Sequence, residues 1–228
     1  MRQRSKRYVK MQEALKDKPQ PMALEEAVKI LKQFNTTKFD QSVNCVLNLG
    51  IDPKQADQLV RGSLSLPKGI GKSFKVIAFC EGDLAGKAKE AGAIEAGADD
   101  LVKKVQDGWM DFDVAIATPS MMRLVGRLGR ILGPSGKMPS PKAGTVTDNI
   151  VNAVREYSAG KQEYRNDDGG NVHVVVGKVS FEEAKLAENV QAFIDHIKRI
   201  KPVSSKGVYI RKACLAASMT PSVELDVA

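Results

Sequence analysis

The chain has 228 residues, 43% of them hydrophobic and 27% charged, with a net charge of +8 and a pI near 9.3. That length suits one large or two ordinary domains with a buried core, and the composition excludes a disordered or membranous class. No apolar run approaches the roughly 20 residues of a spanning helix, and the basic start lacks the apolar core of a signal peptide, so we expect a cytoplasmic protein with a polyanionic partner.

The first ten residues hold five basic and no acidic side chains and lead into a helical pattern through Tyr8, Val9, Met11 and Leu15. A basic arm of this kind suits contact with nucleic-acid backbone; a frayed, solvated terminus is the other reading. Gln20-Pro21 breaks the helix. Leu24, Ala27, Val28, Ile30, Leu31 and Phe34 then repeat with helical spacing, up to a turn at Asn35-Thr36-Thr37. In the stretch from Lys38 to Leu49 the second half alternates as a half-buried strand does, with Val43, Cys45 and Leu47 on one side. Phe39 at its head is either a core plug or a platform for stacking on a sugar or base. Gly50-Ile51-Asp52-Pro53 leads into a short helical turn, Arg61 to Pro67 reads as a strand, and Lys68 to Ser73 is a connector. Gly71-Lys72-Ser73 ends like a P-loop, but Leu66 stands where its first glycine belongs and the loop precedes a strand instead of following one.

The middle of the chain alternates strand and helix: Phe74 to Phe79, a helix Asp83 to Glu90, a short apolar piece at Ala93-Ile94, a helix Asp99 to Val105, a strand Val114 to Ala117, and helices Ser120 to Leu132 and Thr147 to Ser158. This is the rhythm of a small three-layer, Rossmann-like α/β sheet with helices on both faces. Glu81-Gly82-Asp83 sits where a phosphate-binding loop would be, and its carboxylates would repel phosphate. Between Val114 and Thr147 there is no acidic residue, while Arg123, Arg127, Arg130, Lys137 and Lys142 supply five positive charges. Three prolines there fix φ and Gly133, Gly136 and Gly144 permit φ > 0, so Gly133 to Gly144 is expected to be a shaped, anion-seeking loop.

Beyond Gly160, strands Lys161 to Arg165 and Val172 to Val176 flank a hairpin turn by composition, Asn166 to Asn171. A long amphipathic helix runs from Phe181 to Ile200 and a last strand from Gly207 to about Ala217, before a short apolar tail. The outer pieces each have too few strands for a sheet. The economical solution is one split α+β domain, residues 1–67 and 160–228, with an α/β domain of residues 68–159 inserted. The middle piece carries +2 and the outer pieces together +6, so the outer pieces hold the electrostatic footprint.

Catalytic readings are weak. Cys45, Cys80 and Cys214 lie far apart in apolar runs and are read as reduced core residues. His173 and His196 have no third ligand or nucleophile at a recognisable spacing and are read as structural. Asp107, Asp111 and Asp113 interleave with Trp109, Met110 and Phe112, as in a turn anchored in a core. No metal site or cofactor is expected. A nucleotide-dependent enzyme on the middle domain stays as the alternative.

Several long strings are more specific: Lys38-Phe39-Asp40, Asp57 to Gly62, Asp107 to Asp113, Leu128 to Pro134, Pro141 to Val146, Arg165-Asn166-Asp167, and Met219 with Pro221-Ser222. Through them the chain resembles, over residues 5 to 224, the family of bacterial large-subunit ribosomal protein number one. The resemblance implies two hinged domains, the first discontinuous, with hinges at Pro67-Lys68 and Ala159-Gly160. It also implies binding to the stalk of large-subunit rRNA, to a similar fold in the protein's own operon mRNA with translational repression, and help in releasing exit-site tRNA. Carried over by position, the RNA face comprises Lys38, Phe39, Asp40 and Ser42, then Arg165, Asn166 and Asp167, then Ser218, Met219 and Thr220. Lys38 and Arg165 would neutralise phosphates, Phe39 and Met219 would touch sugars and bases, and Asp167, Ser42 and Ser218 would meet ribose hydroxyls. The resemblance moves Phe39 toward stacking. Arg130, Lys137 and Lys142 are further candidates in the second domain. Thr220 stands where the family usually has glycine, and Ser135 and Lys137 also depart from its pattern. The free protein is expected to be a monomer.

Overall fold

In a computed structural model, the described residues are 4–16, 18–34 and 36–227. Met1 to Gln3, Asp17, Asn35 and Ala228 fall outside them, and with them the head of the basic arm and the first residue of the expected 35–37 turn. In chain order the elements are α1 (Lys6–Lys16), α2 (Leu24–Gln33), β1 (Ser42–Leu49), β2 (Arg61–Leu64), β3 (Val76–Phe79), α3 (Asp83–Glu90), β4 (Glu95–Gly97), α4 (Asp99–Gln106), β5 (Val114–Ala117), α5 (Met122–Val125), α6 (Gly129–Leu132), α7 (Ile150–Ser158), β6 (Gln162–Arg165), β7 (Asn171–Lys178), α8 (Glu183–Arg199), β8 (Ile210–Ala217) and β9 (Val223–Leu225). The chain is mixed α/β and divides into two compact units. One holds Met1–Val60, Leu66–Gly71 and Tyr164–Ala228, the other Arg61–Ser65 and Lys72–Glu163.

The first unit is built on an antiparallel sheet in the order β7-β1-β8-β9. Alternation along β1 puts Val43, Cys45, Leu47 and Leu49 on one face, continued by Val172, Val174, Ala213, Leu215 and Ala217. α2 and α8 pack on each other and on the sheet, where Val28, Leu31, Leu186, Val190, Phe193 and Ile197 are buried. A helical stripe on an alternating strand face is the arrangement their two periods dictate. α1 buries only Met11 and Leu15, and Ser5 caps it by accepting from the Tyr8 N–H at 3.3 Å.

The second unit is a parallel sheet, β4-β3-β5. All four residues of β3 are buried because both faces are covered. Ile77 and Phe79 meet Leu101, Val105, Val125 and Leu132 on one side; Val76 and Ala78 meet Ala88, Ile150, Val154 and Tyr157 on the other. These are the three layers expected.

Local differences have local causes. The expected helix Ser120 to Leu132 is three short pieces, α5, a 3-10 turn Gly126–Leu128, and α6, since Gly126 and Gly129 weaken a continuous helix. The short apolar piece at Ala93-Ile94 runs directly into a strand, β4, and leaves Ile94 exposed. After Pro53 there are turns and no helix. The Asn166–Asn171 turn forms, but its flanking strands diverge after a single Asn166–Val172 bridge: β6 pairs with β2 and β7 with β1. The apolar tail is a strand, β9, added beside β8.

Candidate nucleic-acid interface

β1 begins and β8 ends at the same edge of the four-stranded sheet, because they are antiparallel with Val43 opposite Ala217. The segment 38–42 is thereby placed beside 218–220, although about 180 residues separate them in sequence. Three hydrogen bonds join them. Ser218 N–H donates to the Ser42 carbonyl at 3.1 Å, the Ser218 hydroxyl donates to the same carbonyl at 3.4 Å, and Met219 N–H donates to Gln41 Oε1 at 2.9 Å. β7 arrives at this edge too: Lys178 Nζ donates to the Ser42 hydroxyl at 2.8 Å, and the Asp40 carboxylate accepts from Ser180 N–H at 3.1 Å and its hydroxyl at 2.7 Å.

With the backbone fixed this way, Phe39 is left 51% exposed and Met219 49% exposed. Phe39 is therefore no core plug. Two large apolar side chains held out to solvent on a hydrogen-bonded frame, with Lys38 exposed beside them, form a surface suited to sugars, base faces and phosphates. Lys38 makes no ion pair with any described residue. Asp40 has a scaffold role: both of its oxygens accept from Ser180. Thr220 closes the turn, its hydroxyl accepting from Ala217 N–H at 2.9 Å. No described residue other than glycine has a positive φ, so the position demands no glycine.

Arg165, Asn166 and Asp167 do not join this edge. Asn48 pairs with Asn171, and the 166–170 turn lies beyond it, six residue steps or about 20 Å along β1 from Ser42. Asn166 is buried, its amide oxygen accepting from Val60 N–H at 3.0 Å. Asp167 accepts from Gly169 N–H at 2.9 Å and from Asn171 N–H at 2.7 Å. The Asn171 side chain and backbone, then Gly169, hold its carboxyl below the usual range. Both residues help build the turn, and Asp167 stays at the surface while doing so. Arg165 and Asp167 are both exposed, and only Asn166 is turned inward.

In the second unit, Arg130 and Lys142 are exposed and make no ion pair with described residues. Lys137 is different. Its ammonium donates to the Met110 and Phe112 carbonyls at 3.1 and 2.5 Å and lies 4.9 Å over the Phe112 ring, so it ties the 133–144 loop to the Asp107–Asp113 turn. Tyr157 hydroxyl donates to the Ala143 carbonyl at 2.6 Å, and Thr145 bonds Ser140. The loop is shaped as expected, with Gly136 and Gly144 at φ of 70° and 74°, while Gly133 is helical at −59°.

Gln41 was not foreseen as part of the interface. It lies two residues before Val43, at the same parity as the inward residues of β1, and is fully buried; a polar residue in step with a strand's inward face is the signal that could have marked it. The cysteines are free; burial raises the Cys45 and Cys80 thiols above their ordinary values. His196 shares a 2.8 Å hydrogen bond with the Tyr164 hydroxyl, and burial, then Arg199, lowers its pKa.

The sequence profile of the family described as ribosomal protein L1p/L10e matches residues 31–221. A large ribosomal subunit protein uL1 from Kosmotoga olearia is 48% identical over 226 residues, 99% of this chain and 97% of the relative.

Proposed function

The chain belongs to the ribosomal protein L1p/L10e family, and from that premise we propose that it is a constituent of the large ribosomal subunit that grips folded rRNA with the Lys38–Ser42 and Ser218–Thr220 edge of its split unit. Membership makes it a ribosomal protein of the cytoplasm, with a structural and not a catalytic role. The observation that carries the RNA-binding edge is the joining of two sequence-distant segments by backbone hydrogen bonds so that Phe39 and Met219 stay exposed. Apolar contacts to sugar and base faces read RNA shape, and the surrounding lysines and arginines add sequence-independent attraction.

Two finer roles extend the proposal: assistance in the release of exit-site tRNA, and repression of the protein's own operon through an mRNA element shaped like the rRNA site. Family membership supports both. The test is binding to a transcribed rRNA stalk segment as a function of salt. With about six phosphates neutralised, the log–log slope is expected to be roughly −4 to −5. Phe39→Ala and Met219→Ala should each weaken binding without changing that slope; wild-type affinity in both would refute the edge. A competing transcript of the operon leader tests the repressor role.

A further inference from the structure

Beside the Met219 turn the first unit contains a cleft of about 460 Å³, bounded by Arg4, Ser5, Arg7 and Tyr8 at the start of α1 and by Ser218–Thr220 after β8. That is within the roughly 300–1,000 Å³ of sites that hold small ligands. Its lining has two guanidinium groups and no carboxylate. Arg4 lies 4.7 Å over the Tyr8 ring and also donates to Gln12 at 3.4 Å, so its guanidinium is held against an aromatic ring before anything binds. Arg7 is exposed and makes no ion pair with any described residue. Across the cleft, half-exposed Met219 presents its thioether, and its backbone is fixed by Gln41. Fully buried Gln41 keeps one amide donor, Nε2, without a partner, directly behind the Met219 turn that its Oε1 holds.

We infer that this cleft takes one unstacked nucleotide of the bound RNA, its base lying between the Arg4–Tyr8 pair and Met219 and its phosphate against Arg7. The inference rests on the proposed RNA-binding edge and deepens it, giving the basic arm a definite place in recognition. A backbone contact alone would need only the charges. The Arg4–Tyr8 pair facing an apolar side chain is instead suited to a base, which has a π-face whatever its sequence. A base inside a duplex is stacked on both faces and paired along its edge, so it cannot lie between these side chains. The occupant is therefore a loop, bulge or flipped position in the RNA.

The experiment uses the full chain and the same rRNA stalk transcript, with single abasic substitutions scanned through its loops and bulges. Tyr8→Ala and Arg7→Ala are compared with Tyr8→Phe, all on a helix whose buried contacts are Met11 and Leu15 and so are left intact. Tyr8→Ala should weaken binding about 5- to 150-fold, the range of one base–aromatic stack, while Tyr8→Phe binds like wild type. One abasic position should cost wild type a similar factor and cost Tyr8→Ala little, the non-additivity that marks a shared contact. Arg7→Ala should make the salt slope shallower by about one. If every abasic penalty is the same in wild type and Tyr8→Ala, no base occupies the cleft and the inference falls. If Tyr8→Ala binds like wild type while Phe39→Ala and Met219→Ala lose affinity, the inference falls and the RNA-binding edge stands. If Phe39→Ala and Met219→Ala also bind like wild type, both fall.

Discussion

At the start of β1, Asp40 fixes a turn by accepting from Ser180; about 20 Å along the same strand, Asp167 fixes another by accepting from Gly169 and Asn171. Each turn carries a basic residue nearby, Lys38 in one case and Arg165 in the other. The difference is in what is left over once the backbone is satisfied. At the first edge the bonds are backbone-directed and the large side chains, Phe39 and Met219, stay in solvent. At the second, Asn166 turns inward to Val60, and the exposed Asp167 is engaged by Gly169, Asn171 and His173, while Arg165 is exposed with no ion pair to a described residue. A motif of basic, amide and acidic residues is therefore no evidence of a binding face until its hydrogen bonds are counted. The carboxylates at both ends hold turns together, and recognition falls to whatever the turns leave exposed.

The comparison is broken most directly by placing substitutions at both ends. Phe39→Ala combined with Met219→Ala should lower affinity for the stalk transcript by about 100-fold, since each base or sugar contact is worth about 1–3 kcal/mol. Arg165→Ala should cost no more than one phosphate contact, a few-fold at moderate salt. Filter binding at a fixed salt concentration measures both. Equal losses would mean that the RNA spans the sheet and that the two ends work together.

A second substitution sharpens the contrast in stability. Asn166→Ala leaves the Val60 N–H unpaired in a buried position and should destabilise the first unit by about 2 kcal/mol. RNA affinity of the folded fraction should stay within twofold of wild type. Urea unfolding followed by tryptophan fluorescence would miss this, because Trp109 lies in the other unit; far-ultraviolet circular dichroism or hydrogen exchange of β1 amides reads it. A loss of affinity without a loss of stability would return Asn166 to the RNA face.

Much of this was legible in the residues. Alternation at Val43, Cys45 and Leu47 gives β1 and its buried face, and the continuous apolar run of β3 gives a strand covered on both sides. Phe39 and Met219 were reached through the family's strings, and the fold explains why they are exposed. What could not be read was pairing. Composition marks Asn166–Asn171 as a turn, yet nothing local says that β6 leaves for β2 while β7 joins β1. The same limit hid the roughly 20 Å of β1 between Ser42 and Asn48, near which the 166–170 turn lies, because distance along a sheet depends on register. Buried amides were also hidden: Asn189, on the apolar stripe of α8, accepts from Lys68 N–H and donates to the Gly69 and Val176 carbonyls, a long-range role without local signature.

A smaller effect is expected at the frame of the first edge. Asp40→Ala frees Ser180 and loosens the segment that carries Phe39, so RNA affinity should fall about three- to tenfold while the melting temperature changes by only a few degrees. Because Asp40 is exposed, the loss reflects poorer positioning of Phe39 and not a missing contact; combining Asp40→Ala with Phe39→Ala should then cost no more than Phe39→Ala alone. Full additivity would show that Asp40 meets the RNA itself.

The smallest effect separates the two aspartates by pH. Hydrogen bonds from Asn171 and Gly169 favour the ionised form of Asp167 and hold its folded pKa below the ordinary value of 3.8. A carboxyl depressed in the folded state contributes stability above its unfolded pKa and loses it as pH falls through the folded value. The melting temperature of wild type should therefore exceed that of Asp167→Asn near pH 6, and the gap should close as the pH is lowered from about 4 toward 2.5. RNA binding measured above pH 5 should be the same for the two proteins, since the turn lies away from Phe39 and Met219. A gap that stays constant down to the acid limit would mean that the turn does not distinguish the ionised carboxylate from its amide, and that the Asn171 and Gly169 bonds owe nothing to charge.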